Sequence, residues 1–419
     1  MAGQAGPAGR VLGDLMLADH HCGGLLATWA EAGGGQWPAW RASFTGAARP
    51  ASQARDVPGL LGYRHFLAAL AGLLEVTAGG LGLSPPDPLS TGGLGLSPPN
   101  PLSAEELERQ VAARRDELAG ADPDGYLRLL LDHAGTAALL VDTGAGGDQV
   151  VEVAELERAA NRPVHEVVRL EALASELLAP GAPTARSLAR FLGGFEERVG
   201  TAMERGAVAL KSIAAHRGGL WLFTESTQAD RRRAFAGLDK AAQAARFDDP
   251  VLLPFLVRRA AELAASRQVP LQFHTGIGDE DVYLPHADPG LLWPMLRDPR
   301  TEDCPVVLLG CYPYVGAAAH LAGTYPQVHM DLSPAVSLAE PIAARLVSEA
   351  LGLCPPGKLL AGSGGRAYPE SHWWGATVWR RALARVLRAE VEAGGLDDAA
   401  ARDTARRVLA TNATRLYRL

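Results

Sequence analysis

The strongest constraint on how this chain folds is an alternation. Eight short apolar or β-branched runs recur along it, separated by segments whose apolar residues fall at helical spacing. The runs occupy residues 14–21, 137–143, 164–171, 207–213, 270–275, 305–311, 328–333 and 358–363, with amphipathic stretches such as 251–265 and 338–351 between them. Parallel strands need a crossover of a dozen or more residues, usually a helix, so this pattern predicts an α/β protein with a parallel sheet covered by helices. Eight such units make a (β/α)8 (TIM) barrel the first expectation, ahead of an open doubly wound sheet. One connection is abnormal, since about 115 residues separate His21 from Ala137. The boundaries read as the first barrel strand in 1–29, a helical insertion over the barrel mouth in 30–135, and the remainder of the barrel in 136–419. Helical pieces in the insertion fall at 63–74, 104–118 and 124–134. It also holds a tandem duplication at 79–103, where GGLGLSPPDPLS recurs after Thr91 as GGLGLSPPNPLS. Paired prolines and glycines exclude a helix or a central strand there and predict a mobile surface loop.

Charge and cysteine usage narrow the partners. Lys+Arg number 40 against 47 Asp+Glu, a formal charge of -7, so no basic surplus exists to neutralise a phosphate backbone and nucleic acid is not an expected partner. No apolar run reaches the roughly 18 residues of a membrane span, and the first residues lack the basic start and apolar middle of a signal peptide. A cytoplasmic protein acting on a small molecule is the expectation. The four cysteines, Cys22, Cys304, Cys311 and Cys354, form neither a disulfide framework nor a CxxC pair, and the Asn412-Ala413-Thr414 sequon carries little weight without a secretory route.

In a (β/α)8 barrel, chemistry belongs at the C-terminal ends of the strands. Those ends are polar here: Asp19 and His21 on the first run, Asp142 on the second, Arg169 and Glu171 on the third, Lys211 on the fourth and His274 on the fifth. Alternation places Ala207, Ala209 and Lys211 on one face, as a crowded barrel interior with one functional group at its rim requires.

The motifs around these residues resemble the amidohydrolase-related family, metal-dependent hydrolases on a (β/α)8 barrel, and in particular its branch fused to glutamine synthetase. The likeness is carried by DHHCGGLL at 19–26, RLEALASEL at 169–177, ALKSIAAHRGGL at 209–220 and QFHTGIGD at 272–279. It continues through VVLLGCYPYVGAAAHLAGTYPQVHMDLS at 306–333, KLLAGSGGRAYPE at 358–370 and LATNATRLYRL at 409–419. The resemblance implies a hydrolase that binds zinc or a similar divalent ion through an HxH pair, a histidine on the fifth strand, often one on the sixth, and an aspartate on the eighth. Of these positions His21 and His274 keep their donors, whereas Gly23, Gly310 and Gly364 stand where the others are expected. Glycine offers no side-chain donor, and catalytic zinc normally has three protein ligands and an open position. The metal site therefore reads as degenerate, and no cofactor is expected unless other ligands complete a site for zinc or another divalent ion. Restoring His at Gly23 and Gly310 and Asp at Gly364 should rebuild it if the rest of the site is intact. By the same resemblance Arg169, Glu171, Arg217 and Asp279 line the substrate site, Lys211 joins His21 and His274 as a catalytic candidate, and Gly316 replaces an arginine that could meet an anion.

Bland roles stand beside these. Lys211 can be the partner of a carboxylate or polarised carbonyl, or a structural ion pair with Glu171 or another acid. His21 and His274 can be leftover hydrogen-bonded groups or a working ligand and base. Asp279 can orient His274, or cap its own loop. Cys22 and Cys311 are expected to point outward to the helix layer, and Trp373 with Trp374 to pack the last helix. The first functional reading is a barrel that binds a small polar amide or amino-acid-like compound, with hydrolysis lost, weak or metal-independent. Two alternatives remain. One is an active metal-dependent hydrolase of a C–N bond, with Asp142, Glu171 or Asp331 completing the site. The other is a non-catalytic subunit, a homo-oligomer or one paired with an intact relative.

Overall fold

The computed structural model describes residues 12, 14–31, 41, 44–45, 55–76, 103–144, 149–222 and 225–419. Its eight strands are β1 (Leu17–Gly23), β2 (Thr136–Asp142), β3 (Val164–Arg169), β4 (Ala209–Ser212), β5 (Leu271–His274), β6 (Val306–Leu309), β7 (Val328–Asp331) and β8 (Leu359–Leu360). They lie side by side in chain order, every neighbouring pair parallel. The ring closes beyond β8. Gly364 N–H donates to His21 O at 2.8 Å, Gly23 N–H donates to Gly365 O at 2.8 Å, and Leu25 bridges Ala367 in parallel. This is the (β/α)8 barrel expected from the alternation.

Each of the eight runs overlaps its strand; β1 extends two residues past its run to Gly23, β2 begins one residue before its run at Thr136, and the other six strands lie within their runs and are shorter. The third stops at Arg169, and Glu171 sits in the first turn of the helix Leu170–Leu177 rather than at a strand end. The sixth stops at Leu309, so Gly310 and Cys311 belong to the turn that follows it.

Two apolar layers hold the barrel. Outside, helices such as Leu252–Arg267 and Ala343–Leu353 pack on outward residues, Leu210 and Phe273 among them. Inside, Ala18, Leu140, Val167, Ala209, Val307, Leu309 and Leu360 form a small core with Ala413 and Tyr417 of the terminal helix Asn412–Tyr417. That helix plugs the end where strands begin. Asn412 is buried, and its side-chain amide donates to Pro356 O at 2.7 Å and Leu359 O at 2.8 Å, so the sequon serves the plug.

The long first connection contributes the helices Leu61–Leu73, Ala104–Ala121 and Pro123–Ala134. The last of these is the crossover helix of β2, ended by Gly135 at φ 67. The other two dock on the helix Pro369–Glu392: Phe66 meets Trp373 and Trp374 edge-on at 5.9 and 5.5 Å, and Arg115 Nε donates to Glu370 Oε1 at 2.8 Å. Both tryptophans are buried in this contact. The duplicated segment lies outside the described residues except for Ser103, whose hydroxyl accepts from Glu106 N and starts a helix. Among the described residues no helix is long and apolar enough to cross a membrane.

Candidate active site

Alternation along β4 buries Leu210 against the helices and turns Ala209 and Lys211 inward. Register then selects the partners of Lys211. Arg169 pairs with Lys211 across β3 and β4, and Asp142 ends the strand before them. Lys211 Nζ lies 3.0 Å from Asp142 Oδ2, and Arg169 reaches the same oxygen through Nε at 3.2 Å and through Nη2. Asp142 Oδ1 accepts from Gly144 N at 3.1 Å. Burial works against this carboxylate, but the charges of Lys211 and Arg169 outweigh it and hold Asp142 well below the ordinary range. Burial pulls the Lys211 ammonium below its usual value while Asp142 opposes. One anion thus faces two enclosed cations, a site with spare positive charge.

Glu171 belongs to a neighbouring group and does not pair with Lys211. Its Oε1 accepts from Ser212 Oγ at 2.6 Å and Ile213 N at 3.0 Å, its Oε2 is sealed without a partner, and burial pushes the carboxyl up. Arg217 Nη1 donates to His216 O at 3.0 Å while its Nε is enclosed and unpaired. Asp279 does not orient His274. Its Oδ1 lies 2.8 Å from His216 Nδ1 and also accepts from Asp281 N at 3.2 Å.

Three imidazoles gather here, each fixed through one nitrogen. His21 Nδ1 lies 2.8 Å from Asp331 Oδ2, His274 Nε2 lies 2.9 Å from Ile277 O, and His216 Nδ1 is held by Asp279. The His216 and His274 ring centroids are 4.3 Å apart. His216 carried no strand-end signal in the sequence, although it lies inside one of the family-like motifs. Behind them, Gln272 Nε2 donates to Tyr417 Oη at 3.0 Å, which leaves the Tyr417 hydrogen for His20 Nδ1, also at 3.0 Å. His20 Nε2–H is then directed toward Asp331 Oδ2, 3.7 Å away.

Burial disfavours the charged form of each ring. It pulls His274 well below its usual value, with His216, Lys211 and His21 adding to the effect, and it lowers His216 against the pull of Asp279. Burial and the Lys211 charge bring His21 down to about 4 despite Asp331, and burial brings His329 down to about 4. The unfolded chain binds protons at these two sites below pH 6.5 and the native protein does not until near pH 4, so stability is lost as pH falls through that window. Each should cost about 2 kcal/mol at pH 5 and about 3 kcal/mol by pH 4. Urea unfolding at pH 7.5 and pH 5 checks this; equal stability at the two values would show that these rings are hydrated.

The glycines at the expected ligand positions are set in particular backbone. Gly310 has φ 86, and a Cβ there would stand 2.6 Å from Thr275 O. Gly364 has φ 64, and a Cβ would stand 2.6 Å from Pro334 Cα. Gly316 opens the helix Val315–Thr324, and its Cβ would lie 3.3 Å from Glu349 Oε1 in the helix layer. Among the described residues no three His, Cys, Asp or Glu side chains are grouped so as to hold a metal ion. Cys22 and Cys311 are buried in the outer cluster, where burial pushes both thiols up.

No family model matches the sequence. Protein fluG of Emericella nidulans is 29% identical over 333 residues, covering 74% of this chain, and the chain spans 38% of that protein's length. A Lactobacillus casei protein provisionally classed as a metal-dependent hydrolase superposes with a TM-score of 0.78 at 24% identity, over 96% of this chain and 95% of that one. Uronate isomerases of Thermotoga maritima (TM-score 0.63, 13% identity, 98% and 97% covered) and Bacillus halodurans (0.59, 11%, 98% and 95%) share the architecture. The chain is a (β/α)8 barrel, the fold it shares with that Lactobacillus casei protein and with the uronate isomerases.

Proposed function

We propose that this barrel binds a small amide or amino-acid-like compound carrying a carboxylate, and that its metal site is degenerate, so that any hydrolysis is weak or independent of metal. The observation that carries the reading is the pair Gly310 and Gly364. Both hold positive φ with backbone atoms 2.6 Å from where a Cβ would be, so these positions are built for glycine rather than merely missing a donor. The side chains that could replace the absent ligands have other work. Asp142 is taken by Lys211 and Arg169, Glu171 by Ser212 and Ile213, and Asp331 by His21. The donors present do not fit a resident ion.

What supports ligand binding is the spare charge. Lys211 and Arg169 share one carboxylate inside a low-dielectric rim, where an incoming carboxylate gains most from pairing. The structurally similar uronate isomerases are named for sugar acids, which also carry a carboxylate. His21 and His274 would contact the ligand, and Arg217 and the Glu171 carboxyl would border it.

The test is metal analysis of tag-free dialysed protein by inductively coupled plasma mass spectrometry, with calorimetric titration of succinic acid monoamide in EDTA. The expected result is metal far below one equivalent and binding that persists in EDTA. One equivalent of zinc, manganese or iron would overturn the reading.

A further inference from the structure

His216 and Asp279 come from different loops, the turn Ala214–His216 after β4 and the segment after β5, and meet at the mouth. A carboxylate oxygen only accepts, so the 2.8 Å contact to Asp279 Oδ1 puts the hydrogen on His216 Nδ1 and leaves a lone pair on Nε2. Among the described residues nothing bonds that Nε2, and it is not one of the sealed, unpaired atoms. The main chain is fixed as well, because His216 O accepts from Arg217 Nη1 at 3.0 Å and Arg246 Nη2 at 2.7 Å. Gly278 makes room for the ring: a Cβ there would stand 2.4 Å from His216 Cε1. An anchored imidazole with one open lone pair, packed 4.3 Å from His274, has the arrangement of a general base.

We infer that His216, oriented by Asp279, is the general base of a metal-free hydrolytic step on the acyl carbon of a carboxylate-bearing amide. This rests on the reading under Proposed function. His216 Nε2 takes a proton from water as the water oxygen bonds to the acyl carbon, and the carbonyl π pair moves onto its oxygen. Arg169, whose charge bears on His216, and Lys211, whose charge bears on His274, supply the positive field for that oxyanion. The intermediate reforms the carbonyl by breaking the C–N bond, and the departing nitrogen takes the proton from His216. Water and amide are consumed, and carboxylic acid and amine are produced. His216 touches the reacting atoms, and Asp279 is a positioning residue.

The experiment follows 4-nitroaniline release from succinic acid mono-4-nitroanilide in EDTA, with metal content measured on the same samples. Wild type should turn over. His216→Gln should lower kcat about 100-fold or more. Asp279→Asn should do so with KM within about threefold of wild type, because an amide that donates to Nδ1 forces the hydrogen onto Nε2. Long-range 1H–15N spectra of histidine-labelled protein should show the Nδ1–H form of His216 in wild type and the Nε2–H form in Asp279→Asn. Unchanged turnover in His216→Gln, an Nε2–H form in wild type, or no turnover with or without bound metal would each overturn the dyad. Turnover that is lost in EDTA and accompanies one equivalent of metal would instead overturn the reading on which it rests.

Discussion

Asp142→Ala is expected to destabilise the barrel by about 3–5 kcal/mol, the usual cost of removing one partner from an enclosed ion pair. The reasoning starts from charge. Asp142 is the anion that both Lys211 and Arg169 contact at the strand ends; Asp142 and Lys211 are buried, and the Arg169 side chain is 16% exposed. Taking it away leaves two neighbouring cations without compensation and also removes the acceptor of Gly144 N–H. Lys211 has an escape, since a buried amine can lose its proton, but Arg169 remains charged at any accessible pH. Asp142→Asn keeps the shape and one acceptor and should cost less than the alanine. Lys211→Met leaves Asp142 its Arg169 partner and should be milder than either. The measurement is the urea midpoint of the three variants at pH 7.5, and the decisive comparison is their order. A loss below about 1 kcal/mol for Asp142→Ala would mean that water enters and solvates the cluster.

Sequence and structure agree where side-chain periodicity decides the outcome. The eight strands were legible as short apolar or β-branched runs set between segments of helical spacing, and Lys211 was legible because Ala209 and Lys211 share a face that Leu210 does not. Pairing was less so: that Lys211 meets Asp142 and not Glu171 depends on where β3 ends, two residues short of Glu171. His20 and His21 show the limit of alternation. Adjacent strand residues should face opposite ways, yet both rings approach Asp331, because the register of β1 against β2 shifts between Asp19 and Cys22. Such an irregularity leaves no mark in residue types. His216 escaped for another reason: a histidine in a turn has no periodic neighbours to assign it a face, and its partner Asp279 lies in the loop after the next strand.

Restoring the expected metal ligands should fail, and the backbone says why. Gly310→His would place an L side chain at φ 86 with its Cβ pressed on Thr275 O, and neither the carbonyl nor the strand end it belongs to is free to move far. Gly364→Asp occupies φ 64, a region aspartate tolerates better than most residues, but its Cβ would still strike Pro334. Gly364 also donates the hydrogen bond that closes the barrel onto His21, so relief of the clash loosens the seam. Backbone strain of about 1–3 kcal/mol and overpacking of about 1–3 kcal/mol add at each position, giving about 2–6 kcal/mol per substitution. A triple variant with Gly23→His should accordingly be less stable than wild type and take up less than one equivalent of zinc in equilibrium dialysis. The sequence-based expectation was the opposite, since a missing side chain was all that composition could register. The two accounts separate cleanly: a triple variant that melts no lower than wild type and binds zinc one to one would mean that the positive φ values are adaptable, and that the site lost its metal by side-chain substitution alone.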